Sequence, residues 1–224
     1  MELYDVMRTA FSAREYSDEP VSDELLYNIL ENARFASSGG NRQGWKVIVI
    51  REKESKEKIA DLAIPCAKKY AAQRIAGENP LNTIDHTSVD DQTIENTPPS
   101  PKLRMTYVDA PVVLVVCVDL KVVASMDSGL GRVGVVSGAS IYPFVWNILL
   151  SARNEGFGGR ITTIPIAQEP KLQDYFRIPD HFAICAVMTL GKPVKQLTKL
   201  SRKPVSEFTT CEFFDGEQFR MKQI

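Results

Sequence analysis

The sequence is poor in the residue types that build metal sites and disulfide frameworks. Its 224 residues include only two histidines and four cysteines, and the cysteines stand far apart at positions 66, 117, 185 and 211. No close Cys/His spacing is present, so we expect no zinc or other metal site. Cys117 and Cys185 lie inside apolar runs typical of strands, where cysteine behaves as a small buried hydrophobe. We therefore expect reduced thiols and a cytoplasmic protein.

The sequence also has little net charge and no apolar segment suited to a membrane. A formal net charge of −1 gives no general electrostatic attraction to nucleic acid or to an anionic membrane, so we expect neither as a partner. The N-terminus, M-E-L-Y-D-V-M-R-T, carries acidic residues early and has no apolar core, so we expect no signal peptide. The most apolar segment, 133–157, contains Pro143 and several serines and ends in charged residues, which argues against a membrane span.

Helix and strand patterns alternate along the whole chain. Ser22 is predicted to cap a helix with acidic residues in its first turn and one apolar face. Further helices are predicted for residues 3–11, 54–63, 66–76 and 169–176, with Pro65 separating two of them. The strands, each apolar enough to be buried on both faces, are predicted for residues 45–50, 110–118 and 182–190. This alternation, without internal repeats, predicts a single α/β or α+β domain.

Three segments admit more than one interpretation. The long polar connection 77–104 is either disordered or a functional lid. Residues 133–157 predict a helix that is apolar nearly all round, which is typical of a core helix or of the interface of an obligate dimer. Pro143 either kinks this helix or marks the start of its straight part. The polar tail after Pro193 is a candidate to reach another subunit.

The stretch A-S-S-G-G-N-R-Q-G-W at 36–45 stands between a predicted helix and a predicted strand, with almost nothing to bury. Its glycines permit close approach of another molecule to the main chain. Asn41 and Gln43 each offer donors and acceptors, which suits the edge of a heterocycle with alternating C=O and N–H groups. From composition, a plain polar loop after a helix end is an equally good interpretation.

Four stretches in this order resemble the nitroreductase family of FMN-dependent reductases. The first is S-A-R-E-Y at 12–16 with P-V behind it, and the second is S-G-G-N-R-Q-G-W at 38–45. The third is N-E-G-F-G-G-R-I-T-T at 154–163, and the fourth is S-R-K-P-V-S-E-F at 201–208. Together with the strands between them, they cover nearly the whole chain.

The resemblance implies an α+β fold in which helices flank a mixed sheet. It implies a homodimer with two FMN sites at the subunit interface. The chain would be one FMN-binding domain over residues 1–224, with a lid or insert at 77–104 and an extended C-terminal tail at 195–224.

The resemblance also assigns FMN contacts near the N-terminus. Ser12 and Arg14 match residues that contact the phosphate side and the pyrimidine end of the flavin. A cation beside N1 and O2 of the ring stabilises the negative charge that reduced flavin carries there. The family often has an arginine ahead of the serine, where this chain has Ala10 and Phe11, so we expect Arg8 to supply that charge.

The remaining implied contacts lie in three later segments. Four residues match a loop that, in the family, reaches the flavin from the partner subunit: Ser38, Gly39, Asn41 and Gln43. Thr162 and Thr163 match a segment whose backbone N–H groups face N5 and O4 of the ring. Arg202 matches a phosphate-binding arginine, whose planar fork suits phosphate oxygens. Ser37 and Leu200 depart from the family pattern, since proline and a basic residue are common at these positions.

The resemblance implies that the flavin carries the chemistry, so no residue is assigned as an acid, base or nucleophile. NADH or NADPH would give hydride to N5 and leave, and a small acceptor would then take electrons from the same face. Nitroaromatics, quinones and other flavins are the candidate acceptors of this ping-pong scheme. Two alternatives stay open: a reductive dehalogenase of the same superfamily, and a carrier or sensor that binds FMN without turnover.

Overall fold

The computed structural model describes residues 1–220, and this part of the chain forms a four-stranded sheet with helices on both faces. The strands are β1 (Trp45–Ile50), β2 (Val112–Asp119), β3 (Gly158–Thr162) and β4 (Phe182–Gly191). The α-helices are α1 (Leu3–Thr9), α2 (Asp23–Ala33), α3 (Lys53–Ile75), α4 (Asp91–Asn96), α5 (Leu103–Val108), α6 (Tyr142–Asn154) and α7 (Glu169–Phe176). The predicted α+β fold class is confirmed.

The strand order is β1-β2-β4-β3, and every pair of neighbouring strands is antiparallel. The prediction of a mixed sheet is therefore wrong for these four strands, and the parallel contact at Ser12 and Gly159 is an isolated bridge. β2 lies in the middle, and its residues from Val112 to Val118 are all buried, as the apolar run predicts. Pro111 precedes the strand because it has no N–H to donate to the ladder.

One apolar core lies on each face of the sheet. α2 and α6 cover the first face, and α3, α5 and α7 cover the second. The predicted cap of α2 is confirmed, because the Ser22 hydroxyl accepts a hydrogen bond from the Leu25 N–H at 3.1 Å. Val21 before this cap and Leu26 after it are both buried, the arrangement of a hydrophobic staple.

β1 has its predicted bounds, but the prediction that both of its faces are buried is wrong. Ile50 is buried, whereas Lys46 and Val49 are exposed. The reason is the position of β1 at the edge of the sheet, where a strand has a neighbour on one side only. Trp45 gains partial cover from α6, because its ring stacks on Phe144 with 4.8 Å between the centroids.

The prediction of two helices separated by Pro65 is wrong, because α3 runs without a break through residues 53–75. Pro65 removes one backbone hydrogen bond and normally kinks or ends a helix. Here the proline lies on the exposed side of α3, while Ala63 and Ala67 are buried on either side of it. Packing of this buried side against the second core maintains the helix.

The apolar segment 133–157 contains a short 3-10 helix, Val136–Ser140, followed by α6. Pro143 stands in the first turn of α6, where no N–H donor is needed. Of its two predicted roles, it therefore marks the start of the straight helix. The buried side of α6 belongs to the first core: Phe144, Val145, Ile148, Leu149 and Ala152.

The polar connection 77–104 contains α4 and the start of α5. A single carboxylate organises its first half, since Glu78 accepts hydrogen bonds from the Ser88 N–H (2.7 Å) and from the hydroxyls of Thr87 and Ser88. The Ser88 backbone hydrogen bond, followed by these hydroxyls, lowers the pKa of Glu78 to about 2. The function of the segment as a lid stays a prediction.

Candidate functional site

A cleft of about 1180 Å³ opens beside β3, between α3, α5 and the N-terminal segment 12–16. Four of the residues predicted to bind the cofactor line it: Ser12, Arg14, Thr162 and Thr163. They come from segments about 150 positions apart in the chain, and the sheet edge brings them together.

The segment 12–16 is fixed to the free edge of β3 by a close backbone contact. The Ala13 N–H donates to the Gly159 carbonyl at 3.0 Å. A side chain at position 159 would not fit, because its Cβ would lie 2.3 Å from the Thr189 carbonyl oxygen. Gly159 is therefore required for β3 to lie this close to β4, and its carbonyl on the other side stays available to Ala13.

Tyr16 fastens the end of this segment to β4. Its hydroxyl donates to the Ala13 carbonyl at 3.0 Å and lies 2.7 Å from the Thr189 hydroxyl. Burial raises the pKa of Tyr16 to about 12, against the weaker effects of Thr189 and the nearby arginines. The phenol thus stays protonated at neutral pH and continues to donate to the Ala13 carbonyl. This contact fixes the backbone that carries Arg14 beside the cleft.

The free edge of β3 offers main-chain donors to the cleft. In an antiparallel ladder, successive residues turn their backbone groups alternately toward and away from the neighbouring strand. Gly159 turns its carbonyl away from β4 toward Ala13, so Ile161 turns its N–H and C=O outward as well, and Thr162 faces β4. The outward N–H adjacent to the predicted pair of threonines is therefore that of Ile161.

Arg160 also lines the cleft, and the sequence interpretation did not single it out. Its guanidinium is half-buried, and its buried Nε has no hydrogen-bond partner among the described residues. Burial lowers the pKa of Arg160, and the hydroxyls of Tyr107 and Tyr16 act in the opposite direction. The signal in the sequence was one basic residue between two glycines and an apolar strand residue.

The rim of the cleft carries further charges. Lys102, from the wall opposite the N-terminal segment, forms an ion pair with Glu15 at 2.8 Å. Arg74 on α3 and Asp109 after α5 also line the opening. Its apolar lining includes Ala67 and Leu103. The cleft therefore combines a largely apolar wall with an excess of cations, which suits a flat ligand with an anionic edge.

The other four predicted contacts lie elsewhere, in the loop before β1. Ser38 stabilises this loop by accepting a hydrogen bond from the Gln43 N–H at 3.0 Å, and the Gly39 N–H donates to Ser140 Oγ at 3.1 Å. Asn41 and Gln43 adopt positive φ angles of 52° and 49°. β1 and β3 are opposite edges of the sheet, three strand spacings or roughly 14 Å apart. One chain thus does not bring the loop to its own cleft.

Arg8 and Arg202 are both outside the lining of the cleft. Arg8 lies on α1 with its guanidinium 5.7 Å from the centre of the Tyr4 ring. Arg202 lies in the exposed tail and donates to the Ser201 carbonyl at 2.7 Å. Their contacts with a phosphate stay a prediction.

Two further observations concern residues 1–220 as a whole. They contain no cluster of three histidine, cysteine, aspartate or glutamate side chains placed to hold a metal ion. No helix in this range is both long and apolar enough to cross a membrane.

The sequence is similar to those of known proteins over most of its length. A family model described as "Nitroreductase family" matches residues 7–192. The nitrobenzene nitroreductase of Ectopseudomonas oleovorans is 26% identical over 230 residues, which cover 92% of this chain and 95% of that protein. Iodotyrosine deiodinase 1 of Pongo abelii is 25% identical over 216 residues, covering 92% and 67%.

A solved structure supports the same assignment at the level of the fold. It is an oxidized iodotyrosine deiodinase bound to FMN and 3-iodo-L-tyrosine, with a TM-score of 0.64 and 20% identity. The similarity covers 91% of this chain and 96% of that one. The family match extends over most of the chain and includes the cleft and the loop before β1. The chain belongs to the nitroreductase family.

Proposed function

We propose that this chain is an FMN-dependent oxidoreductase that passes electrons from NADH or NADPH to a small acceptor. The observation that carries the proposal is the pair of arginines, Arg14 and Arg160, on a largely apolar cleft. Neither forms an ion pair with a carboxylate among the described residues. A partly buried cation without a counter-charge is destabilising, and a bound ligand that carries negative charge removes this cost.

The residues of the cleft fit FMN. The volume of about 1180 Å³ is sufficient for a ligand of that size. Ser12, Arg14 and the free edge of β3 would hold the cofactor. When bound, FMN supplies the hydride and electron transfer, and the protein supplies binding, orientation and electrostatics. In this scheme Arg14 stabilises negative charge at the cofactor, which is preorganised electrostatic help.

We extend the proposal to a homodimer in which the loop before β1 reaches the cleft of the partner. Large apolar side chains are exposed on the face that carries this loop, including Phe35 (73%) after α2, Val135 (67%) before α6 and Trp146 (43%) on α6. α2 packs on α6, and the loop is tied to the 3-10 helix before α6 by the contact of Gly39 with Ser140. An apolar face of this kind is typical of obligate interfaces.

The loop that precedes α6 is held in one shape by a buried carboxylate. Asp127 accepts hydrogen bonds from the Val135 N–H (2.7 Å) and the Val136 N–H (3.2 Å), and it pairs with Arg132 at 2.8 Å. The Val135 hydrogen bond and Arg132 lower the pKa of Asp127 to about 2. Asp127 thus fixes the backbone that presents the exposed side chain of Val135, which reduces the entropy lost on association.

The lid and the tail remain parts of the proposal. Residues 98–103 form one wall of the cleft, so the connection 77–104 is placed to select the acceptor. The tail 195–224 contains a short 3-10 helix and a bridge between Thr210 and Gln218, and Phe214 is fully exposed in the loop that this bridge closes. Its last four residues lie outside the described range. The four cysteines are free thiols, which agrees with a reducing compartment such as the cytoplasm.

The proposal is tested with the purified protein and its bound cofactor. We expect a yellow protein that releases one FMN per chain on denaturation and is bleached by NADH or NADPH without air. Initial rates at several acceptor concentrations should give parallel double-reciprocal lines, because one cleft serves the nicotinamide and the acceptor in turn. A colourless protein that takes up no FMN would overturn the proposal, and a yellow protein that is not bleached would indicate a carrier or sensor. Intersecting lines would contradict the shared cleft.

Reductive dehalogenation is the second candidate, and the iodotyrosine deiodinases among the relatives favour it. Arg74 and Lys102 at the rim would suit the carboxylate of an amino acid. The two candidates are separated by giving the chemically reduced enzyme a halotyrosine and a nitroaromatic in parallel. Release of halide without turnover of the nitroaromatic would support the dehalogenase, and the opposite result would support the nitroreductase.

A further inference from the structure

We propose that Arg160 is a second cation for the pyrimidine edge of the flavin and that it makes the bound FMN easier to reduce. This inference rests on the proposed function, because it assumes that FMN occupies the cleft. It concerns a residue outside the matched contacts, whose side chain reaches the cleft from the middle of β3.

The sheet register places Arg160 on the floor of the cleft. Arg160 is opposite Thr189 on β4, and Thr162 is opposite Val187. Val187 belongs to the core on the second face, so alternate residues of β3, Arg160 and Thr162, also point to that face. Tyr107 on α5 confirms this direction, since its hydroxyl lies 3.4 Å from Thr162 Oγ1. The cleft opens on the same side, between β3 and α5.

Within residues 1–220, no ion pair balances the charge of Arg160. No carboxylate among the described residues forms an ion pair with it, and Glu15 at the same cleft is paired with Lys102. Besides burial, the charge of Arg14 repels Arg160 and lowers its pKa, whereas the hydroxyls of Tyr107 and Tyr16 raise that pKa. The buried Nε–H finds no acceptor in the part of the chain that the structure describes. A half-buried guanidinium in this state is costly unless a ligand brings both an acceptor and a negative charge.

The surroundings favour the flavin ring over the phosphate as that ligand group. Phosphates bind where several N–H donors converge, as at helix N-termini and glycine-rich turns. Arg160 instead faces a slot with Ala67, Ala71 and Leu103 in its walls, which suits a flat apolar ring. The ring is neutral when oxidised and gains negative charge at its pyrimidine edge when reduced. Arg160 would therefore bind reduced FMN more tightly than oxidised FMN, and this difference raises the reduction potential.

The experiment compares the midpoint potential of bound FMN in three variants of the full-length protein. Arg160→Met removes the charge and keeps much of the side-chain length, and Arg160→Lys keeps the charge. Arg74→Met removes a rim arginine of the same cleft and serves as the matched control. Potentials are measured by equilibration with a redox dye, and dissociation constants for oxidised FMN and riboflavin are measured by fluorescence.

We expect Arg160→Met to weaken the binding of reduced FMN about tenfold more than that of oxidised FMN, which lowers the potential by about 30 mV for a two-electron couple. Arg160→Lys should retain at least half of the effect, and Arg74→Met should cause a much smaller change. The riboflavin affinities should follow the FMN affinities, because the phosphate is not involved.

Three outcomes would overturn the inference while leaving the proposed function intact. The first is a wild-type potential in a folded, FMN-loaded Arg160→Met protein. The second is a loss of affinity for oxidised FMN but not for riboflavin, which would place Arg160 at the phosphate. The third applies if Arg160→Met does not fold, in which case Arg160→Gln replaces it as the variant without the positive charge. An Arg160→Lys protein whose potential is as low as that of Arg160→Gln would then show that charge is not the cause. A wild-type chain that binds no FMN would remove the proposed function as well.

Discussion

The cleft floor and the loop before β1 contain the two halves of the predicted site, and they are built in different ways. The cleft floor is part of the sheet: Gly159 has no space for a side chain, and Tyr16 joins the N-terminal segment to β4. The loop is stabilised by the hydrogen bond from the Gln43 N–H to Ser38, and its backbone adopts positive φ angles at Asn41 and Gln43. Arg14 and Arg160 on the floor form no ion pair within residues 1–220, and the loop presents amides to solvent at the opposite edge. This separation is what the proposed site shared between two subunits requires.

The sharpest test of this comparison is complementation between subunits. Arg14→Ala damages the floor, and Asn41→Ala with Gln43→Ala damages the loop, so each homodimer should bind FMN poorly. A heterodimer of the two, purified through different tags after co-expression, has one site with all the damage and one intact site. We expect it to recover one tightly bound FMN per dimer, measured by absorbance and titration. Heterodimers of two differently tagged Arg14→Ala chains are the control, and failure of the mixed dimer to recover a site would place the loop and the floor in separate functions.

A smaller effect is expected on the rate of flavin reduction when Arg14 alone is substituted and FMN is supplied at a saturating concentration. Because the negative charge on the cofactor grows only during reduction, Arg14→Ala should slow reduction by NAD(P)H by about 10²–10³-fold, the usual effect of losing one preorganised donor. The apparent affinity for the nicotinamide nucleotide should change little. Stopped-flow measurements without air give both quantities, and Arg14→Lys is the matched control. Reduction at the wild-type rate would leave Arg14 as a structural residue of the N-terminal segment.

A substitution of Arg202 tests whether the C-terminal tail contributes to the FMN site. If it meets the phosphate, Arg202→Ala removes a charged hydrogen bond worth roughly 1.5–3 kcal/mol, and FMN binding weakens by about ten- to a hundredfold. Fluorescence titration of the apoprotein with FMN measures this change. Riboflavin, which lacks the phosphate, should bind the variant and the wild type equally well. An unchanged FMN affinity would move the phosphate site to Arg8 or to Lys199, the basic residue that precedes Leu200, and these are the next variants to examine.

The smallest expected effect is on thermal stability and concerns Asp127, which holds the loop before α6. Its pKa in the folded protein is about 2, below the ordinary value of 3.8, so the carboxylate stabilises the fold above about pH 4 and loses this contribution as the pH falls toward 2. Asp127→Asn should therefore lower the melting temperature at pH 7, and the difference from wild type should narrow below pH 4. Asp18→Asn, at an exposed position, is the control. A difference that is independent of pH would mean that shape and not charge matters at position 127.

The sequence alone determined the elements whose signals are local. The cap and apolar face of α2, the buried run of β2 and the bounds of α7 and β1 were predicted correctly, because capping chemistry and side-chain periodicity act within one element. The order of the four family motifs also identified the family before any contact was known. These properties depend on neighbouring residues in the chain and are visible without the fold.

The tertiary structure decided the properties that depend on distant neighbours. Sheet order placed β1 at an edge and exposed it, and packing against the second core maintained α3 through Pro65. The same sheet order places the loop at Asn41 and the cleft at opposite edges of the sheet. Single sequence motifs do not contain this information. Arg160 is a candidate because its Nε is buried without a hydrogen-bond partner among the described residues, which only the packed structure shows. Burial and electrostatic environment come from segments far apart in the chain, so they appear only once those segments have packed together.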